Sequence, residues 1–205
     1  MDNRIVIVDY GCGNLGSIKN MLKKAGSESV TSSDKNAIEN ARKLILPGVG
    51  AFDTGIKNIR EAGLWEILNK KALEDQIPVL GICLGMQLMT KQSEEGKEKG
   101  FGWVDAEVVK FLAGEQQLKI PNMGWNEVKV IKENILFADA QPELRFYFVH
   151  SYYVRCANSA DVIATAEYGT EYCCSFQHNN IYGVQFHPEK SHKYGMQLLK
   201  NFISA

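Results

Sequence analysis

Two short stretches hold residue types that can do covalent chemistry. In "PVLGICLGMQLM", residues 78–89, Cys83 stands between Gly81 and Gly85, after an apolar run and before an amphipathic one. A strand, a glycine-flanked nucleophile and a helix form an elbow of this kind. The glycines allow a turn tighter than Cβ atoms permit, and the apical side chain is presented at the carboxyl end of the strand. A helix starting there favours thiolate over thiol, and the backbone N–H of Leu84 is the first oxyanion donor of such an elbow. The competing reading is a small buried hydrophobe, a common fate of a free cysteine. In "GVQFHPEKS", His187 follows an apolar strand and Pro188 holds the backbone extended after it. Glu189, two residues on, then leaves on the same face as His187. A carboxylate there can accept the imidazole N–H and stabilise the imidazolium. A thiolate nucleophile needs a base, and the base needs an orienter. "HPE" supplies both.

The other histidines are weaker candidates. His178 lies in "FQHNN", a turn signature that places it on the surface. His192 falls in the first turn of the last helical stretch, with no partner in sequence. His150, in "FVHSYY", ends a strand, and pocket and structural roles stay equally open for it. The five cysteines make no C-x-x-C pair, so neither zinc nor a disulfide framework is expected. Adjacent Cys173 and Cys174 should point to opposite faces of one strand.

Positioning Cys83 requires a sheet. Three apolar runs, "RIVIVDYG", "KLILPGVG" and "PVLGICLG", end at glycine- or proline-containing loops. Ile5, Val6, Ile7 and Val8 are consecutive rather than alternating, as in a strand buried on both faces. Helical spacing follows each run: Ile18, Met21, Leu22 and Ala25; then Ile56, Ile59 and Leu64; then Leu84, Leu88 and Gln87. Repeated strand–loop–helix units predict right-handed crossovers and a mostly parallel sheet with helices on both faces. The second half alternates or is rich in β-branched and aromatic residues: "DAEVVKFL", "NEVKVIKENILF", "RFYFVHSYYVR", "DVIATAEYG", "EYCCSFQHN" and "IYGVQFHPEK". These predict added antiparallel strands. The final "SHKYGMQLLKNFI" predicts a helix with Ser191 as N-cap and Met196, Leu199 and Ile203 on one face.

The chain of 205 residues carries a net charge of −1, which gives no electrostatic footprint for nucleic acid or an anionic membrane. Its length suits a single α/β domain whose core needs no disulfide, metal or other cofactor. "MDNRIVIVDYG" has no basic region followed by a long apolar one, and no apolar stretch reaches membrane-spanning length. The expectation is a cytoplasmic protein.

With these residues in place, the chain resembles the class I, triad-type glutamine amidotransferases. "GICLGMQ" matches the family's nucleophile elbow and "QFHPE" its His–Glu segment. The resemblance runs from the first strand to the last helix. It implies a flavodoxin-like α/β fold over residues 1–205 as one glutaminase domain. Cys83 would attack the side-chain amide of L-glutamine, His187 would shuttle the proton and Glu189 would orient His187. "VDYGCGNLGSI", "LPGVGAFDTGI", "PNMGWNEV" and "YFVHSYYV" further resemble the glutaminase subunits of imidazole glycerol phosphate synthases. In that group ammonia passes to a separate (β/α)8-barrel cyclase subunit, as a heterodimer. The resemblance assigns "PGVG" to the oxyanion loop, where the N–H of Val49 or Gly50 adds a second donor. It makes Gln87, His150, Ser151 and Tyr152 substrate-binding residues, and it places Asn14, Met123, Trp125 and Lys190 on the partner surface. Asn122 stands where the family usually has histidine, a position expected near the docking surface. Relatives of these glutaminases also feed ammonia to surface-sugar amidating enzymes. A non-catalytic scaffold and a γ-glutamyl hydrolase are further readings on the same fold.

Overall fold

The computed structural model describes residues 5–112, 118–139 and 143–205. Five strands form its parallel half: β1 (Ile5–Val8), β2 (Ser29–Ser32), β3 (Lys43–Gly48), β4 (Val79–Cys83) and, near the end of the chain, β11 (Ile181–Val184). They lie in the order β2-β1-β3-β4-β11 and every neighbouring pair is parallel. This is the 2-1-3-4-5 order of a flavodoxin-like sheet, the fold that the family resemblance implies. Between them lie the helices α1 (Leu15–Lys24), α2 (Lys35–Glu39), α3 (Phe52–Glu61) and α4 (Trp65–Asn69), and α5 (Leu84–Leu88) follows β4.

All four residues of β1 are fully buried, because alternate side chains enter two cores. Val6, Val8, Leu44 and Leu46 join Ile38 of α2 and Phe52, Ile56 and Ile59 of α3. Ile5, Ile7 and Ile45 meet Ile18 and Leu22 of α1, with Leu198, Leu199 and Phe202 of the last helix, α6 (His192–Ser204). Helices therefore cover both faces. Cys173 and Cys174 divide between the same two cores, as expected for neighbours on a strand.

Beyond β11 the sheet turns antiparallel through β10 (Glu171–His178), β9 (Val162–Glu167), β6 (Asn122–Val130) and β7 (Leu144–His150). β5 (Ala106–Lys110) pairs with β8 (Tyr152–Cys156), and β8 touches β10.

Several expectations are corrected. β11 is antiparallel to β10 but parallel to β4, because a hairpin at Asn179 and Asn180 reverses the chain beside a strand running the original way. "RFYFVHSYYVR" is two strands, broken at Ser151, and "NILF" is a short 3₁₀ turn (Ile135–Phe137) rather than strand. The buried face of α6 is Gly195, Leu198, Leu199 and Phe202, with Met196 and Ile203 only half-buried. Ser191 precedes α6 without capping it: its hydroxyl donates to the His187 carbonyl (2.6 Å) and accepts from the Tyr147 N–H (3.0 Å).

Candidate active site

Cys83 closes β4 with φ 54° and ψ −111°, a conformation that a non-glycine residue adopts only under strain. The strain is held by packing on both sides. A Cβ at Gly85 would lie 1.7 Å from the Leu46 carbonyl oxygen, and one at Gly81 would lie 2.7 Å from the Met86 backbone. The two glycines thus let the first turn of α5 sit directly on β3 and β4. α5 has only five residues, so it offers the unpaired N–H groups of one turn rather than a long dipole.

The oxyanion-loop candidates lie beside Cys83. Gly48 is the register partner of Cys83 on the neighbouring strand. "PGVG" therefore leaves the sheet alongside Cys83, with Val49 45% exposed and Gly50 at φ 116°. Tyr10, which sequence reading passed over, is buried here and its hydroxyl donates to the Pro47 carbonyl. Burial pushes the Tyr10 phenol up, and nearby Cys12 and Cys83 add to that shift.

His187 reaches the same place from the adjacent strand. Val184 is in register with Ile82, so Cys83 and His187 both emerge from the carboxyl ends of neighbouring parallel strands. The backbone N–H of His187 is fixed to the Tyr147 carbonyl (2.9 Å). His187 is extended (φ −103°, ψ 96°), as its following proline requires, but Pro188–Lys190 is a 3₁₀ turn rather than extended chain. Proline's fixed φ suits the first position of such a turn, and the turn carries Glu189 back onto the ring. Nδ1 and Glu189 Oε1 are 2.8 Å apart, with both side chains 2% exposed. An ionised carboxylate only accepts, so Nδ1 carries the proton and Nε2 is the working nitrogen. Nε2 and Glu189 Oε2 have no hydrogen-bond partner among the described residues. Burial alone would lower the His187 pKa, but Cys83 and Glu189 together raise it to about 10. The site therefore favours an imidazolium facing the sulfur.

Behind the sulfur lies a polar chain. Gln87, buried on α5, donates from Nε2 to the Tyr152 carbonyl (3.2 Å) and to Gln185 Oε1 (3.1 Å). Gln185 Nε2 in turn lies 3.7 Å from Cys83 Sγ. His150 donates from Nδ1 to the same Tyr152 carbonyl (2.7 Å), while Asn122 Nδ2 lies 3.3 Å from its Nε2. Burial lowers the His150 pKa to about 4, against a raising contribution from that carbonyl and with a further lowering from His187. His150 is thus held neutral and ties the end of β7 to the first residue of β8, across the break at Ser151. The Ser151 carbonyl is held by the Phe111 N–H (3.1 Å). Asn122 is buried, bonded also to Tyr172, and accepts from Asn126 at 3.1 Å. It lies inside, one residue before the exposed Met123.

Three of the four surface candidates gather near His187. Met123 (63% exposed) and Trp125 (38%) share the outer face of β6. Trp125 stands edge-on to Tyr147, and the Lys190 ammonium lies 5.5 Å from the Tyr147 ring. His192, which has no partner nearby in sequence, stacks on Trp125 (centroids 5.6 Å apart, 5° between planes). Asn14 is exposed at the start of α1 and makes no side-chain cap. His178 ends β10 half-buried against Asp161 (3.1 Å). Among the described residues, no group of three or more His, Cys, Asp and Glu is placed to hold a metal ion.

Comparison with known proteins agrees with this geometry. The family described as "Glutamine amidotransferase class-I" matches residues 6–205. Imidazole glycerol phosphate synthase subunit HisH 2 of Methanococcus maripaludis is 53% identical over 199 residues, covering 97% of this chain and 98% of that protein. The HisH 2 subunit of Pseudomonas aeruginosa is 45% identical at the same coverage, and the HisH subunit of Bdellovibrio bacteriovorus is 44% identical over 200 residues, again 97% and 98%. Among solved structures, PurLQS from Thermotoga maritima is similar in fold (TM-score 0.74, 17% identity, 100% of this chain and 99% of that one). So is a glutamine amidotransferase from the same organism (TM-score 0.67, 21% identity, 92% and 77%).

Proposed function

Because the chain belongs to the class I glutamine amidotransferase family, we propose that it is the glutaminase subunit of an imidazole glycerol phosphate synthase. It hydrolyses L-glutamine to L-glutamate and ammonia and delivers the ammonia to a (β/α)8-barrel cyclase subunit. The observation that carries the mechanism is the meeting of Cys83 and His187 from adjacent parallel strands, with Glu189 on the far side of the imidazole.

The Cys83 thiolate attacks the carboxamide carbon of glutamine. The oxygen that becomes negative is held by the Leu84 N–H and by the N–H of Val49 or Gly50. His187 Nε2 gives its proton to the departing nitrogen, and the C–N bond breaks to leave a γ-glutamyl thioester and ammonia. Water then loses a proton to Nε2 and adds to the thioester carbon. The C–S bond breaks, and glutamate and the thiolate are regenerated. Glu189 keeps the proton on Nδ1 throughout and stabilises the imidazolium. Gln87, whose amide bonds Gln185 and the Tyr152 carbonyl, holds the substrate in this reading together with Ser151 and Tyr152.

Met123, Trp125 and Lys190, joined to the His187 segment through Tyr147, support a docking face for the cyclase. Asn14 extends it. A covered route matters because ammonia released to water is protonated and lost as a nucleophile. No helix among the described residues is long and apolar enough to cross a membrane, in keeping with work in the cytoplasm.

The test supplies amide-¹⁵N-glutamine to this chain with the histidine-pathway cyclase and its ligand. The reading expects glutamate release and ¹⁵N in the imidazole product. Label transfer only with a nucleotide-sugar amidating partner would move the acceptor to surface-sugar chemistry. Release of glutamate from γ-glutamyl peptides alone would make the chain a hydrolase, and no turnover with any partner would make it a scaffold.

A further inference from the structure

We infer that the side-chain amide of Gln185 donates a hydrogen bond to the Cys83 sulfur and stabilises its thiolate, an inference that rests on Cys83 being the nucleophile. The orientation follows from one unambiguous acceptor. The Tyr152 carbonyl oxygen can only accept, so the Gln87 atom 3.2 Å from it is the NH2 group. The same NH2 lies 3.1 Å from the Gln185 amide, so the atom of Gln185 that faces it is the oxygen. The NH2 of Gln185 therefore faces Cys83 Sγ, at 3.7 Å, a length suited to a large sulfur acceptor.

Gln185 is also fixed in place. It is fully buried, and its backbone N–H is bonded to the Cys174 carbonyl (2.9 Å). Rotating the amide would leave the Gln87 NH2 facing another NH2 and the sulfur facing an oxygen, two repulsive contacts in a dry site. The donor is thus preorganised toward the sulfur from the Gln87 side. The triad supplies His187 and the proposed oxyanion hole supplies backbone N–H groups. Gln185 is a third contribution, one that acts on the sulfur itself. No bond to Gln185 forms or breaks. Its hydrogen bond is strong to S⁻, weak to the thioester sulfur, and strong again as deacylation restores the thiolate.

The experiment is the pH dependence of iodoacetamide labelling, read by mass spectrometry at the Cys83 peptide of the intact chain. In Gln185→Met the apparent pKa for labelling should rise by about one unit, so labelling on the acid limb slows about tenfold. The high-pH plateau should stay unchanged, since access to the sulfur is not the cause. Gln87→Met removes the group that orients Gln185 and should shift the pKa the same way by less. It decides the question if Gln185→Met does not fold. An unchanged pKa in the folded variants, or a change confined to the plateau, would overturn the inference. Full glutaminase activity in Cys83→Ala would instead overturn the reading of Cys83 as nucleophile, whatever Gln185 does.

Discussion

Replacing Glu189 by glutamine keeps the size of the side chain and removes its charge. The carboxylate lies 2.8 Å from His187 Nδ1, with both side chains 2% exposed, so water screens little of the interaction. A hydrogen bond to a charged group contributes about 1.5–3 kcal/mol. That bond is needed most when His187 is an imidazolium, the form from which ammonia receives its proton. Loss of that amount corresponds to roughly 10- to 160-fold in rate. A glutamine can also turn its NH2 toward Nδ1 and place the proton on Nε2, the wrong tautomer for a base facing the sulfur. An effect of that kind reaches about 10⁴-fold in a serine-protease triad. Glu189→Gln should therefore lower kcat by at least tenfold, measured as glutamate release in the presence of the cyclase. KM should change little, because Glu189 approaches the ring from the side away from the sulfur. A kcat within twofold of the parent would refute the assignment of Glu189 as orienter.

The elbow and the two buried histidines give further expectations. Gly85→Ala places a methyl 1.7 Å from the Leu46 oxygen, so α5 must part from β3. The expected loss is about 1–3 kcal/mol of stability in a urea titration, with glutaminase activity lost alongside. His150, held neutral with a pKa of about 4, binds fewer protons when folded than when unfolded, so stability should fall as pH drops from about 6.5 toward 4. His187, raised to about 10, has the opposite sign: its contribution is present below about 6.5 and is lost as pH rises toward 10. Urea midpoints across this range should peak near neutrality, and His150→Gln should flatten the acid limb.

The sequence made three of the five parallel strands legible because β1, β3 and β4 are continuous apolar runs stopped by glycine and proline. The turns at Cys83 and His187 were legible for the same reason, since their glycines and proline mark where the backbone must turn. β2 escaped notice because "SVTS" is short, polar and only half-buried at the sheet edge. α2 is five residues long, started by the Asp34 side chain rather than by an apolar stripe. The direction of β11 was also hidden, since alternation and turn residues give a strand its existence but not its neighbour. Gln185, Tyr10 and Ser191 acquire their roles only from contacts with residues far away in sequence, at Cys83, Pro47 and Tyr147. Nothing local to a buried glutamine in "YGVQF" distinguishes it from a strand residue facing solvent.

The central claim is that the Cys83 sulfur attacks glutamine with the help of His187. The most direct measurement is mass spectrometry of the chain treated with 6-diazo-5-oxo-norleucine, a glutamine-like electrophile, with and without the cyclase. One adduct is predicted, on the Cys83 peptide, with its formation abolished in Cys83→Ala and slowed in His187→Asn. An adduct on another residue, or full glutamine turnover by Cys83→Ala, would contradict the claim.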